Sequence, residues 1–454
     1  MTTGTLPDTG DAAGGSSATR PFHVTNGSVL SIAIPMMLTH LSTPLVGLVS
    51  TGVVGQLGDA ALVGGVALAA VIFDVVFVSC NFLRGATTGF TAQAVGAQDR
   101  AEEQSMLAGG MAIALAIGLL ILAFHAPIGR LGLSLLNADG AVAEAAITYF
   151  AIRVWSAPFV LFNYVVFGWI LGRGEAVAAL LLQTLLNGLG IGLAVWLVLV
   201  ADQGVAGAAW ASLIAEALTS LAAVGLVLSR CERGSWQLHR LKDLSRVKRL
   251  FSVNADMLVR SVALLVGISF FTRESAQFGT DILAANTILL RYYFLAVSFL
   301  DGVAAAAEQL AGRSVGARDR AAFERTVRLT TIWGVGFAVV MALAILSTGP
   351  MVIDLMAPTP SVEAAALAFL PWAVALPLSG VIAFQMDGIF IGATWSREMR
   401  NMMLLSLGIY IAVESFATPA LGNHGLWLSL LVFQGARSIF FRLWMIRLVP
   451  RTFA

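Results

Sequence analysis

From residue 28 onward, long apolar runs alternate with short polar breaks. Gln104–Gly129, Ala176–Ala201 and Leu329–Ile353 contain no Asp, Glu, Lys or Arg. A helix needs about 20 apolar residues to cross the hydrocarbon of a bilayer. A transmembrane barrel would instead show alternating segments of about ten residues. The run lengths, punctuated by Gly, Pro and charge, predict about twelve helices. Their spans are 28–54, 60–92, 104–126, 141–171, 176–200, 205–230, 249–273, 281–311, 325–348, 362–394, 399–420 and 424–448. The fourth and tenth are long and contain Pro158, Pro371 and Pro377, which predicts kinks or tilt.

Composition fixes the class. The 454 residues are 58% hydrophobic and only 12% charged, and mean hydropathy is +0.85. A soluble chain carries about a quarter charged residues. The expected class is an all-α polytopic membrane protein. Cys80 and Cys231 are far apart and form neither a disulfide framework nor a metal spacing. The Gly-, Ser- and Thr-rich start lacks a basic and an apolar signal region, so residues 1–27 read as a disordered tail.

Charge orients the chain. Alternate connections are basic, with Arg100, Arg173, Arg230 to Arg249, Arg313 to Arg325, and Arg397 with Arg400. The others carry mainly Asp59, Asp139, Asp202, Asp281, Asp354 and Glu363, with Arg130 and Arg273 as exceptions. The bias of basic loops to the cytoplasm places both termini there and predicts a multi-pass protein of the plasma (inner) membrane.

The chain also repeats. "TAQAVGAQDRAEE" resembles "LAGRSVGARDRAAFE", with Gly96 and Gly316 lying 220 apart. "FGWILG" meets "DGIFIG" at the same offset, and Ser31 meets Ser252 at 221. The expected organisation is two pseudo-symmetric six-helix lobes, 28–230 and 249–448, with a cytoplasmic linker at 231–248 and a short tail at 449–454. Parallel repeats of this kind are a transporter architecture, with the substrate path between the halves.

Ionisable residues inside a membrane are expensive, so each is a functional candidate. Here they are Asp74, Glu216, Asp256, Arg260, Arg291, Asp301, Glu308, Asp387, Glu414 and Arg437. Asp256 and Arg260 share a helix face and can pair. The pair either only fixes helix packing or sets the affinity of a proton-binding acid. Asp301 and Glu308, seven apart, also share a face and cannot both ionise cheaply without a nearby cation. Asp256 and Asp387 lie roughly 10 Å deep, and Arg260 and Asp301 roughly 16 Å, which predicts one network in the second lobe. Asp74 faces the central path or pairs across helices. His40, Met36 and Met37 read as lipid- or core-facing. No nucleophile elbow, phosphate loop or metal cluster is present in the sequence, so an enzyme, a cofactor, a metal and a nucleic-acid partner are not expected.

"FLRGATTGFTAQAVGAQDR", "VNADMLVR", "LDGVAAAAEQLAGRSVGARD", "QMDGIFIGAT" and "GVAGAAWASLIAE" resemble the DinF branch of the multidrug and toxic compound extrusion (MATE) family, part of the MOP superfamily. The resemblance covers about residues 28 to 448. It implies a cation-driven antiporter that exports amphipathic drugs or metabolites by alternating access through a cavity between the lobes. The branch carries "GLVDTAVIG" in the first span; here the acid position is Ser50. Its Asn and Asp in the fifth span are Gly190 and Ala194 here, and its hydroxyl in the sixth span is Ser212. Asn187 lies one turn away. Pro35 matches the proline whose bending the family is proposed to couple to the missing acid.

The second lobe keeps Asn254, Asp256, Arg260, Asp301, Glu308 and Asp387, which become the ion-coupling candidates. Asp74, Ser50, Asn163, Asn187 and Ser212 are the substrate-cavity candidates. The expected partners are the lipid bilayer, a small amphipathic substrate and a proton rather than sodium, with the chain acting as a monomer. The alternatives are a lipid-linked precursor flippase, which would need a strongly basic cavity, and an uncoupled facilitator.

Overall fold

A computed structural model of the chain describes residues 23–136, 139–231 and 244–454, without the side chains of 43–45, 48, 50, 51 and 244–250. The tail expected over 1–27 and the linker expected over 231–248 fall largely outside these residues.

The described residues fold into helices alone. In the first half these are α1 (Asn26–Gly55), α2 (Ala60–Cys80), α3 (Phe82–Gly96), α4 (Arg100–Ala123), α5 (His125–Leu135), α6 (Gly140–Arg153), α7 (Ala157–Gly172), α8 (Ala176–Val195) and α9 (Gly204–Arg230). The second half holds α10 (Leu244–Ala276), α11 (Thr280–Gly316), α12 (Arg320–Met356), α13 (Pro360–Gly392), α14 (Ser396–Leu421) and α15 (Asn423–Thr452). Among the described residues eleven helical columns are long and apolar enough to cross a membrane, and the 30-residue α1 packs beside them. α2 runs into α3 through Asn81, and α6 runs into α7 through the tight turn Val154–Ser156.

That turn lies just before Pro158 in the fourth span, where a kink or tilt was expected; α13, the tenth span, is one continuous helix through Pro371 and Pro377. α5 was not foreseen, because His125–Leu135 reads as the end of one apolar run and the polar connection after it.

The repeat is visible atom by atom. Asp99 caps α4 by accepting from Glu102 N at 2.8 Å, and Asp319 caps α12 from Ala322 N at 2.9 Å. Gln98 and Arg318 precede these caps, with φ of 58° and 52°. Ser220 of α9 donates to the Phe159 carbonyl and Ser438 of α15 to the Ser379 carbonyl, at 3.4 and 3.0 Å.

The lobes meet where α3 and α11 end, on the face of the molecule that carries the basic connections. A methyl group on Gly96 would collide with the Arg313 carbonyl, and one on Gly316 with the Gln93 carbonyl. The motif glycines 220 residues apart thus pack reciprocally against the opposite lobe, each leaving room for a backbone that no Cβ would allow. Gln93 extends the seam by donating to the Gly392 carbonyl at 2.8 Å, and Gln309 donates to the Gly172 carbonyl at 3.4 Å.

Higher up, the symmetry breaks. Gly302 of α11 lets Met37 and the Ala33 carbonyl of α1 approach closely. Phe82 stands at the matching place in the first lobe and lines a cavity beside α10.

The corners at the basic face also differ. In the first lobe Arg173 pairs with Glu103 and, at 2.9 Å, with Glu175, which also holds Arg230 at 3.2 Å. Burial works against the Arg173 charge, but hydrogen bonds and charge from Glu175 and Glu103 outweigh it and hold its pKa above the ordinary value. The positions matching Glu103 and Glu175 in the second lobe are Phe323 and Trp395, whose rings lie 5.8 Å apart.

Candidate functional site: two polar chambers with a shared wall

Two chambers lie inside the molecule. His40, Asn81 and Arg84 line both.

The first, of about 300 Å³, sits between α2, α3, α10, α11 and α13. Arg84, Arg260, Asp301, Glu308 and Asp387 supply its charge. Asp387 takes hydrogen bonds from Arg260 and, at 2.6 Å, from Arg437. Arg437 is fully buried, also donates to Gln434 at 2.6 Å, and lies over the rings of Phe384 and Phe433. Such a buried acid held by two guanidinium groups is neutralised by its own surroundings.

Glu308 has a different setting. It is only 6% exposed, its Oε1 makes no hydrogen bond, and its neighbour across the seam is Thr88. Thr88 lies 220 residues earlier and is therefore Glu308's own counterpart in the repeat.

The network expected in the second lobe is therefore corrected in one respect. Arg260, Asp301 and Asp387 do line one chamber, joined by Glu308. Asp256 does not pair with Arg260. It accepts from Arg400 at 2.6 Å and from Ser396 at 3.1 Å, both in the first turns of α14. A carboxylate at that helix start gains from the helix dipole as well as from Arg400. Arg260, one turn deeper, reaches α13 instead. Asn254 is buried on α10 and lines neither chamber.

The second chamber, of about 370 Å³, lies within the first lobe. Asp74, Arg153, Asn163 and Glu216 converge on it, with Tyr164 and Gln183. Asn163 donates to Glu216 Oε2 at 2.8 Å and accepts from Ser220 at 3.0 Å. Arg153 donates to the Tyr149 hydroxyl at 3.0 Å, and its buried Nε has no hydrogen-bond partner. Of the substrate-cavity candidates, Asp74 and Asn163 line this chamber.

Other candidates do not. Asn187 donates to Ser42 of α1 at 2.7 Å and accepts from Gln183 at 2.9 Å, tying α8 to α1. Ser212 donates back to the Ala208 carbonyl of its own helix at 3.2 Å. The Ser50 side chain lies outside the described residues. α1 continues through Pro35, whose carbonyl accepts from Thr39 at 2.9 Å.

His40 was expected to face lipid or core; it stands on the wall between the chambers. Arg84, also on that wall, and Arg153 of the second chamber stand outside the site candidates. His40 and Arg84 sit on predominantly apolar faces, so helical periodicity gave them no distinction.

Compared with known proteins, the MatE family pattern matches residues 35–196 and 259–416, one block in each lobe. The chain belongs to the MatE family. This MatE chain is 36% identical over 416 residues to the DNA damage-inducible protein F of Escherichia coli (strain K12), covering 90% of this chain and 89% of that one. It is 28% identical over 342 residues to the probable multidrug resistance protein NorM of Bradyrhizobium diazoefficiens, covering 70% and 69%.

Its fold matches a MOP superfamily transporter from Pyrococcus furiosus, whose binding pocket is described as of reverse polarity. The TM-score is 0.85 at 20% identity, over 94% of this chain and 96% of that one. A MATE transporter in an outward-facing conformation matches with a TM-score of 0.83 at 19% identity, over 94% and 96%. The chain is thus a MatE-family membrane protein with the fold of these neighbours.

In this MatE chain the fifth-span positions discussed above are apolar. Ala194 is buried against Leu197 and Ala211, and a Cβ on Gly190 would make only ordinary contact with Val46 and Ala215. The carboxyl groups of the first-lobe chamber sit elsewhere, Asp74 on α2 and Glu216 on α9.

Proposed function

We propose that the protein is a proton-driven antiporter that works by alternating access, with both termini in the cytoplasm and with Glu308 as the principal proton carrier. One observation carries this reading: Glu308 is buried on the seam between the lobes, opposite Thr88. The Thr88 hydroxyl already donates to the Arg84 carbonyl at 2.9 Å. A neutral Glu308 leaves that hydroxyl proton with the Arg84 carbonyl, while a carboxylate draws it across the seam. A charge is costly at this buried place, so proton binding favours the closed basic face and proton release loosens it. The coupling earlier assigned to Asp256 passes to Glu308 and Asp301, because Arg400 already neutralises Asp256.

The charge of the chambers favours this reading over a flippase. Arg84 and Arg260 face three carboxyl groups in one chamber, and Arg84 and Arg153 face two in the other. Neither presents the strongly basic field that a diphosphate-bearing lipid needs.

The test is ethidium efflux in everted membrane vesicles under imposed proton or sodium gradients. The expected outcome is a response to protons only, lost in Glu308→Gln, weakened in Asp301→Asn and unchanged in Ser50→Asp. Intact proton-driven efflux in Glu308→Gln and Asp301→Asn would sink the reading. Efflux without any gradient response would favour the facilitator.

A further inference from the structure

We infer a binding site for an anionic phospholipid between α12 and α15, on the outer surface of the second lobe at the basic face. A groove of about 470 Å³ opens there. Its floor is apolar, from Phe323, Val327, Met445 and Val449, and the exposed Ile332 and Ile446 flank it. Its polar rim is formed by Arg320, Arg328 and Arg442, with Glu324 as the acid. Glu324 is taken up by Arg320 at 2.8 Å. Arg328 and Arg442 are exposed and make no ion pair among the described residues. The groove therefore offers two uncommitted guanidinium groups above an acyl-sized apolar trough.

Depth agrees with that occupant. The 37 residues of α12 span about 56 Å, against roughly 30 Å of hydrocarbon. The helix therefore projects roughly 13 Å beyond the hydrocarbon at each end if centred. Arg328 lies about 12 Å along the helix from Arg320. That places its backbone at the hydrocarbon edge, from which the long side chain reaches the phosphates, and arginine binds phosphate in two-point geometry. Basic pockets between helices on this side of a membrane suit anionic headgroups.

The other lobe supplies an internal control. The positions matching Arg328 and Arg442 are Ala108 and Val224, at offsets of 220 and 218. Val224 lines a groove between α4, α7 and α9 with Leu115, Phe159, Phe162 and Leu221, and no arginine lines it. The guanidinium pair is thus a property of one lobe and not of the shared fold. Thr331, on the wall of the basic groove, donates to Gln385 at 3.0 Å, two residues from Asp387. Lipid held there would bear on the helix that carries the chamber acid.

The test uses the full-length protein in detergent, titrated with phosphatidylglycerol or phosphatidylcholine and followed by native mass spectrometry and melting temperature. Phosphatidylglycerol is expected to be retained and to raise the melting temperature more than phosphatidylcholine. Arg328→Gln/Arg442→Gln is expected to bind phosphatidylglycerol roughly 30-fold more weakly, the loss that two interfacial charges carry. Arg318→Gln/Arg397→Gln removes equal charge from the same face and should bind as wild type does. Ile332→Trp, which fills the trough and keeps the charge, should also weaken binding, so the site stays testable if the double variant misfolds. Equal lipid retention in wild type and the groove variants would overturn the site. So would equal losses in the control, or full stabilisation by inorganic phosphate alone.

Discussion

The two lobes share a backbone and differ in how they hold charge. In the second, Asp387 is clamped by Arg260 and by the fully buried Arg437. In the first, Glu216 is held by a neutral amide, Asn163. At the basic face the order reverses: the first lobe closes its corner with an ion network around Arg173, and the second with packed rings around Trp395. Duplication fixed the caps, the turns and the seam, and the side chains then diverged. At the seam the motif glycines match, because each half packs there against the other's copy, while Thr88 and Glu308 differ.

Three experiments bear on that contrast. The largest effect is expected where the lobes are alike. Gly316→Ala and Gly96→Ala should each drive a methyl group into a facing carbonyl and force the basic face open. Efflux should be largely lost, and spin labels at Gln98 and Arg318 should move apart. A silent variant on either side would break the reciprocity of the seam.

Next come the chambers, where the lobes differ. Arg437→Leu leaves Asp387 with one partner and should destabilise the protein by about 3–5 kcal/mol. Asn163→Ala removes a single amide from Glu216 and should have a smaller effect, about 1–3 kcal/mol. Denaturation in mixed micelles reads both, and equal losses would remove the distinction between a clamped and a loosely held acid.

The smallest effect is at the corners. Arg173→Gln should lower stability by about 1 kcal/mol, since its ion pairs are partly exposed. High salt should weaken the wild-type first-lobe corner and spare the aromatic one. Proteolysis of the two corners at low and high salt checks this, and equal sensitivity would refute it.

Much of this was legible in the sequence. Run length gave the spans, and the offset of 220 gave the lobes, because lipid demands long apolar helices and duplication keeps register. Asp301 and Glu308 could be placed on one face by spacing alone. What spacing cannot give is the partner across a helix crossing. Asp256 and Arg260 do share a face, yet each finds its charge partner on another helix, at Arg400 and Asp387. The pairing of Glu216 with Asn163 was hidden for the same reason, and so was the place of His40 and Arg84 on a common wall.

The seam has a further consequence. Gly96 meets the strand of chain that ends in Gly316, and Gly316 meets the one that ends in Gly96. That is the geometry of an isologous interface, in which one patch binds its own copy around a two-fold axis. The single polypeptide is, at this contact, a homodimer whose subunits happen to be joined. Joining the two copies in one chain let each half change its side of the axis separately, so that Thr88 stands on one side and Glu308 on the other.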